Sequence, residues 1–195
     1  MPQLPTSPAP SSVSLDIHQP SGKSTSLSGH PQSRSSGLHS WEVDFSYALL
    51  EFDERDAIMA FLTSLKGRVV PFDVIVPTHS ENSGIVSSST ALSDGIYAVD
   101  ATTITLRSVD GTLKPFNLLS VNGKTKVYSV VTASAVVGGV QTVTIMPPLK
   151  TAMADGAIWN VKDVPIYCAL DDDSISCSTK GMSATVKFNM VEEIT

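Results

Sequence analysis

The chain is poor in charge, poor in cysteine and free of long apolar runs. Asp, Glu, Lys and Arg make up 16% of its 195 residues, about two thirds of the share usual in a globular domain. Lys and Arg number 13 against 19 Asp and Glu, for a net charge of −6. Without a basic stripe, binding to a phosphate backbone lacks its main electrostatic source, so no nucleic-acid partner is expected. No run of 18 apolar residues occurs, which excludes a conventional helical membrane span. The opening MPQLPTSPAPSS has neither a basic nor an apolar leader region, so no secretory signal is expected and the chain should be soluble when made, in the cytoplasm.

Chemistry-bearing motifs are equally scarce. The two cysteines, Cys168 and Cys177, flank the acidic run Asp171-Asp172-Asp173. They could face one another in a hairpin, but two free, buried thiols in a reducing compartment are the plainer expectation. There is no CxxC, and the histidines at 18, 30, 39 and 79 lie apart, in a Ser-rich arm or a long loop. No HExxH or GxSxG is present, so the usual zinc-protease and nucleophile-elbow arrangements are missing. The aspartate run lacks the alternating ligands, central glycine and terminal glutamate of an EF-hand, and reads as a solvated turn. Gly138-Gly139 is not followed by a helix or a Lys-Ser/Thr pair, so it is not a phosphate loop. The expectation is a protein that is not an enzyme, with no catalytic, cofactor-binding or metal-ligating residue and no cofactor.

What is present is β-structure. Residues 1–37 are dominated by Ser, Pro, Gly and polar groups, an extended N-terminal arm that is either disordered or ordered on assembly. Two short alternating pieces within it, Ser14–Ile17 and Ser24–Ser28, can pair as strands. Residues 38–195 read as one mainly β domain. Trp41, Val43 and Phe45 alternate as a half-buried strand. One helix follows, with Asp53 expected as its N-cap, Glu54 and Asp56 in its first turn, an apolar face of Ile58, Phe61, Leu62 and Leu65, and Lys66-Gly67 at its end. Lys66-Gly67-Arg68 is a small basic spot that suits a helix C-terminus.

Val69–Val76 is a strand candidate interrupted by Pro71, either an edge strand or one starting at Phe72; further strands are expected near 96–99, 103–109, 116–121, 126–133, 141–146, 157–161, 166–170 and 182–191, with a loop over 78–90. Asn122-Gly123 and Gly138-Gly139 are hairpin signals, and Pro147-Pro148 stops a strand by removing ladder donors. Trp41, Trp159, Phe61 and Phe72 are expected in the core. Many short strands and a single helix predict a β-barrel-like or split-barrel domain, or a small sandwich, with one inserted α-helix; repeated crossover helices of a nucleotide-binding α/β fold are missing.

Two stretches resemble a known family. Leu38 to Pro77 carries Trp41, the helix AIMAFLTSLKGR and the strand VVPFDVIVP; Val127 to Val161 carries paired strands about a glycine turn, Pro147-Pro148-Leu149 and the Ala154-Asp155-Gly156 turn. Together they are similar to tailed-bacteriophage distal tail and minor tail proteins, tail-tip components of long non-contractile tails, and the terminal SATVKFNMVEE suits the same pattern. The resemblance implies a structural virion protein with a β-barrel-like domain, forming a homo-oligomeric, hexameric ring at the tail tip, between the tail tube and the baseplate hub. Its implied partners are the tail tube protein, the tail hub or fibre proteins and the tape-measure protein. Other virion roles, tail completion or head–tail connection, belong to the same class. A carbohydrate-binding module is the alternative from a different class and needs Trp41, Tyr97 or Trp159 exposed; a flavin-binding split-barrel enzyme is a third.

Overall fold

The computed structural model describes residues 2–26, 28–82 and 86–194. In chain order its elements are β1 (Ser12–His18), β2 (Ser21–Thr25), β3 (Pro31–Ser35), β4 (Ser40–Leu50), α1 (Phe52–Ser64), β5 (Phe72–Val74), β6 (Thr90–Ser93) and β7 (Thr103–Arg107). There follow β8 (Leu118–Val121), β9 (Val127–Ala133), β10 (Gln141–Met146), β11 (Ile158–Asn160), β12 (Ile166–Leu170), β13 (Ser176–Lys180) and β14 (Ser183–Glu192). The fold is mainly β, with a closed six-stranded barrel, a single α-helix among the described residues, and strands at the N-terminus. The chain forms two compact units: a barrel unit of Met1–Leu4, Pro71–Cys168 and Glu193–Thr195, and a sheet unit of Pro5–Val70 and Ala169–Glu192. Residues 38–195, read from sequence as one domain, thus contribute to both.

In the barrel unit the strands close in the order β10-β7-β6-β11-β8-β9. The apolar residues of each strand point inward at a spacing of two, so Ile104, Leu106, Leu119, Val143, Ile145 and Trp159 form one buried cluster. Closure pairs every barrel strand on both sides and removes the exposed edges that short strands would otherwise present. The Asn122-Gly123 turn joins the antiparallel pair β8 and β9, and Gly138-Gly139 joins β9 to β10. Both glycines of the second turn take positive φ, 61° and 78°, which a side chain would oppose. The polar centre of this region is Gln141, 1% exposed. Its Oε1 accepts from the Leu113 N–H at 2.9 Å, and its Nε2 donates to the carbonyls of Leu113 and Ser134 at 3.0 and 2.9 Å. A buried amide so placed replaces ladder bonds that a loop strand lacks.

In the sheet unit β4 pairs β1 and β14, and β13 pairs β14 off the main path of the sheet, all antiparallel. Trp41, Val43, Phe45 and Tyr47 on β4 are buried, and Phe45 sits edge-on to Tyr47 and Phe188 at 6.0 and 5.9 Å. Tyr47 stacks on Phe188 at 6.1 Å. Beside β14, α1 buries Ile58 and Leu62, and Leu65 just past its end is fully buried. The expected apolar face is therefore present, although Phe61 is only half-buried.

Several local expectations are corrected. The helix starts two residues earlier than the Asp53 N-cap allows: Glu51 is the N-cap and forms a reciprocal capping box with Glu54, a Glu in the role usually held by Ser or Thr. The helix ends at Ser64, and Lys66 itself takes the left-handed conformation (φ 55°) ahead of Gly67. Residues 96–99 make no strand; Tyr97 forms only an isolated bridge with Met153. Phe116 turns through φ 70°, delaying β8 to Leu118. Of the loop expected over 78–90, residues 83–85 lie outside the described residues, as does Leu27 within the strand expected over 24–28. β13 was not expected at all, because SCSTK carries no apolar signal.

Candidate functional site

The histidines do not converge. His18 is exposed, 3.6 Å from the Glu42 carboxylate, His30 is exposed, and His79 is half-buried with Nδ1 at 3.2 Å from the Pro77 carbonyl. His39, expected on a polar arm, is instead 4% exposed and lies edge-on to Trp41 at 5.1 Å. Its neighbours Ser36, Gly37 and Leu38 gave no hint of burial; the tryptophan two residues on did. Among the described residues no three His, Cys, Asp or Glu side chains are grouped to hold a metal ion. Cys168 and Cys177 are both free, and Cys177 is exposed rather than buried, since it sits on a strand whose residues are all solvent-facing.

The charged motifs have structural roles. Arg107 lies 3.5 Å from both Asp94 and Asp155. A hydrogen bond from the Gly95 N–H, and after it the charge of Arg107, holds the Asp155 carboxyl below the usual range. The acidic run 171–173 is an exposed turn between β12 and β13. Ser174 donates to Asp172 from both its hydroxyl and its backbone, lowering that carboxyl's pKa. Asp173 faces the basic spot, with Oδ1 at 3.9 Å from Arg68 Nε. In the barrel unit a cleft of about 240 Å³ is lined by Asp73, Asn122, Lys124, Asn160 and Tyr167, and burial pushes the Asp73 carboxyl up.

The surface with most to explain lies in the sheet unit. β1, the predicted strand around Ser14–Ile17, pairs along β4 with Val13 opposite Phe45 and Ile17 opposite Trp41. Beyond it, β2 and β3 form a separate two-stranded hairpin, with Gly22 opposite Arg34 and Lys23 opposite Ser33; the piece expected over Ser24–Ser28 overlaps it only at Ser24 and Thr25. All ten strand residues, SGKST and PQSRS, are exposed, and none is a large apolar residue. A two-stranded ribbon with no buried face is marginal in water. Residues 19–37 hold Lys23 and Arg34 and no Asp or Glu, in a chain that is otherwise acidic.

The same unit exposes an unusual cleft at the start of α1. It has a volume of about 460 Å³ and is lined by Glu51, Phe52, Asp53 and Met182. Phe52 is 43% exposed and Met182, on the turn from β13 to β14, is 88% exposed. Leu49, just ahead of the cleft on β4, is 81% exposed and held at φ 58°, a conformation rare for a residue with a branched side chain. The Arg55 guanidinium lies 5.1 Å from the Phe52 ring centroid. Sequence reasoning missed this cleft, although Met182 directly after Gly181 in a polar hairpin was a usable signal.

No protein-family model matches the chain, and no curated protein is similar to it in sequence.

Proposed function

We propose that the chain is a structural subunit of a phage tail tip, a virion protein that forms a ring joining the tail tube to the hub or fibre proteins. The observation that carries this reading is the β2–β3 hairpin: ten exposed, regularly paired residues with no core of their own. A ribbon of this kind gains its missing contacts from another chain, and identical subunits close most simply into rings. The resemblance to distal tail and minor tail proteins implies a β-barrel-like domain and a helix after the Trp41 strand, and the closed six-stranded barrel and α1 support that reading. Hexameric closure, the split-barrel character of the β domain and contacts with tube, hub and tape-measure proteins belong to the same proposal.

The carbohydrate-binding alternative is less well supported. Trp41 and Trp159 are both 0% exposed, and the half-buried Tyr97 donates its hydroxyl to the Asp94 carbonyl at 2.6 Å. No aromatic platform for a sugar ring is built from them.

Electron microscopy of phage particles labelled at the C-terminus of this chain tests the reading. Label at the tail tip is the expected result; label on the head or neck, or particles without it, would overturn it.

A further inference from the structure

The hairpin and the cleft are complementary. Along the β2–β3 ladder Arg34 stands opposite Gly22, so no side chain rises across from it, and its neighbours on that face are Ser24 and Gln32. The Arg34 side chain is therefore the one charged group on an exposed polar face, next to Gln32. The cleft at the start of α1 offers what a guanidinium takes: carboxylates at Glu51 and Asp53, an aromatic ring at Phe52 and the flexible thioether of Met182. Carboxylates accept the guanidinium's fork of donors, the ring face attracts its charge, and methionine packs along its aliphatic stem. Arg55 already lies over the Phe52 ring, so contact between this ring and a guanidinium occurs within the fold.

We propose that Arg34 of the β2–β3 hairpin docks into the Glu51–Phe52–Asp53–Met182 cleft of a second copy of the chain. The inference rests on the reading of the protein as a self-assembling ring subunit and names the two surfaces that join. Docking within one chain is not what the structure shows, because Met182 is 88% exposed and every hairpin strand residue is exposed. Charge selects the partner. The hairpin stretch is basic, the carboxylates lie on the cleft, and the chain as a whole carries −6, so two copies attract only where hairpin meets acidic surface. Lys23, on the opposite face of the ribbon, adds to the attraction without entering the cleft. The contact is heterologous, hairpin to cleft, which is the geometry that propagates around a ring.

The test is sedimentation of the full chain at micromolar to millimolar concentration, with charge reversal on each side. Arg34→Glu and, separately, Met182→Lys or Asp53→Lys are each expected to weaken self-association about tenfold or more, the scale of a central anchor lost. Mixing Arg34→Glu with Met182→Lys should restore association to within about threefold of the native chain, since one reversed pair is then matched. Circular dichroism and thermal melting check that each variant folds; Met182 on its exposed turn covers the case in which a lysine at Asp53 disturbs the helix start. Independently, Gln32→Cys in one chain and Met182→Cys in another, both with Cys177→Ser, should give a disulfide-linked mixed dimer on oxidation. Self-association that ignores these charge reversals overturns the docking site and leaves the ring reading standing. A native chain that never associates overturns the docking site too, and the tail-tip reading is then decided by the particle labelling alone.

Discussion

The backbone N–H of Trp41 donates to the carboxylate of Glu192, 3.3 Å away and 151 residues further along the chain. Both residues are buried, Glu192 at 4% exposure, and the bond ties the first residues of β4 to the last of β14. Replacing Glu192 with Ala is expected to cost about 2–3 kcal/mol, because a buried donor loses its charged acceptor. Glu192→Gln keeps an acceptor oxygen and should cost less. Urea denaturation of the two variants checks the order; equal losses would show that the bond is not what Glu192 supplies.

Tyr47 makes the sheet unit sensitive to alkali. Its side chain is 1% exposed, and burial pushes the phenol from 10.0 up to about 12. A group whose folded pKa is raised gives its full stabilisation below the unfolded value and loses it as pH climbs through the folded one. Stability should therefore be level through neutral pH and fall between pH 10 and 12, by roughly 1–2 kcal/mol from this group. Denaturant titrations across that window should show the fall, and Tyr47→Phe should flatten that part of it.

Gly67 and Asp173 are close enough to confuse two effects. A Cβ on Gly67 would sit 2.7 Å from Asp173 Oδ1, and Gly67 has φ 68°. The carboxylate is the end of an exposed side chain and can swing away, whereas the backbone angle cannot be relieved. Gly67→Ala is expected to cost about 1 kcal/mol, and adding Asp173→Ala should recover little of it. A double-mutant cycle with a large recovery would mean that the side-chain clash, not φ, sets the cost.

Gln141 is the polar joint of the barrel unit. Gln141→Leu keeps the size of the side chain but leaves the Leu113 N–H and two carbonyls without their partner. The expected loss is about 2–4 kcal/mol, with hydrogen exchange rising first at the Leu113 amide. Retained protection there would place the bond outside the stabilising set.

Much of the fold was legible because alternation and turn chemistry are local. Trp41, Val43 and Phe45 announced β4, and the two glycine turns announced the hairpins on either side of β9. The helix was legible through Ile58, Leu62 and Leu65, but its start was not: several acidic residues in a row can each cap, and only the reciprocal bond between Glu51 and Glu54 selects one. Segments 96–99 and 176–180 failed in opposite ways. Ile96 and Val99 have strand-like side chains but no neighbouring strand, whereas SCSTK has no apolar residue and is a strand because β14 offers it an edge. β1 was readable from the alternation of Ser14–Ile17, whereas the hairpin was readable only at Ser24 and Thr25, and β3 not at all, because PQSRS carries no apolar alternation. The cleft was not, since Phe52 and Met182 are far apart in sequence and meet through the pairing of β4 with β14.

The closed barrel has a consequence for valency. Its six strands satisfy one another, so that unit has no unpaired barrel edge to offer another chain. In the sheet unit β1 ends the order of its sheet, and β13 lies off that order, paired with β14. The sheet unit thus bears two separate strand flanks and a ribbon. A body with two distinct joining sides links into chains, and the angle between those sides decides whether the chain closes after a few copies or runs on as a filament. In the ring proposed above, that angle follows from the twist of the sheet that carries β1 and β13, so a change of a single pairing register there is expected to alter the number of subunits.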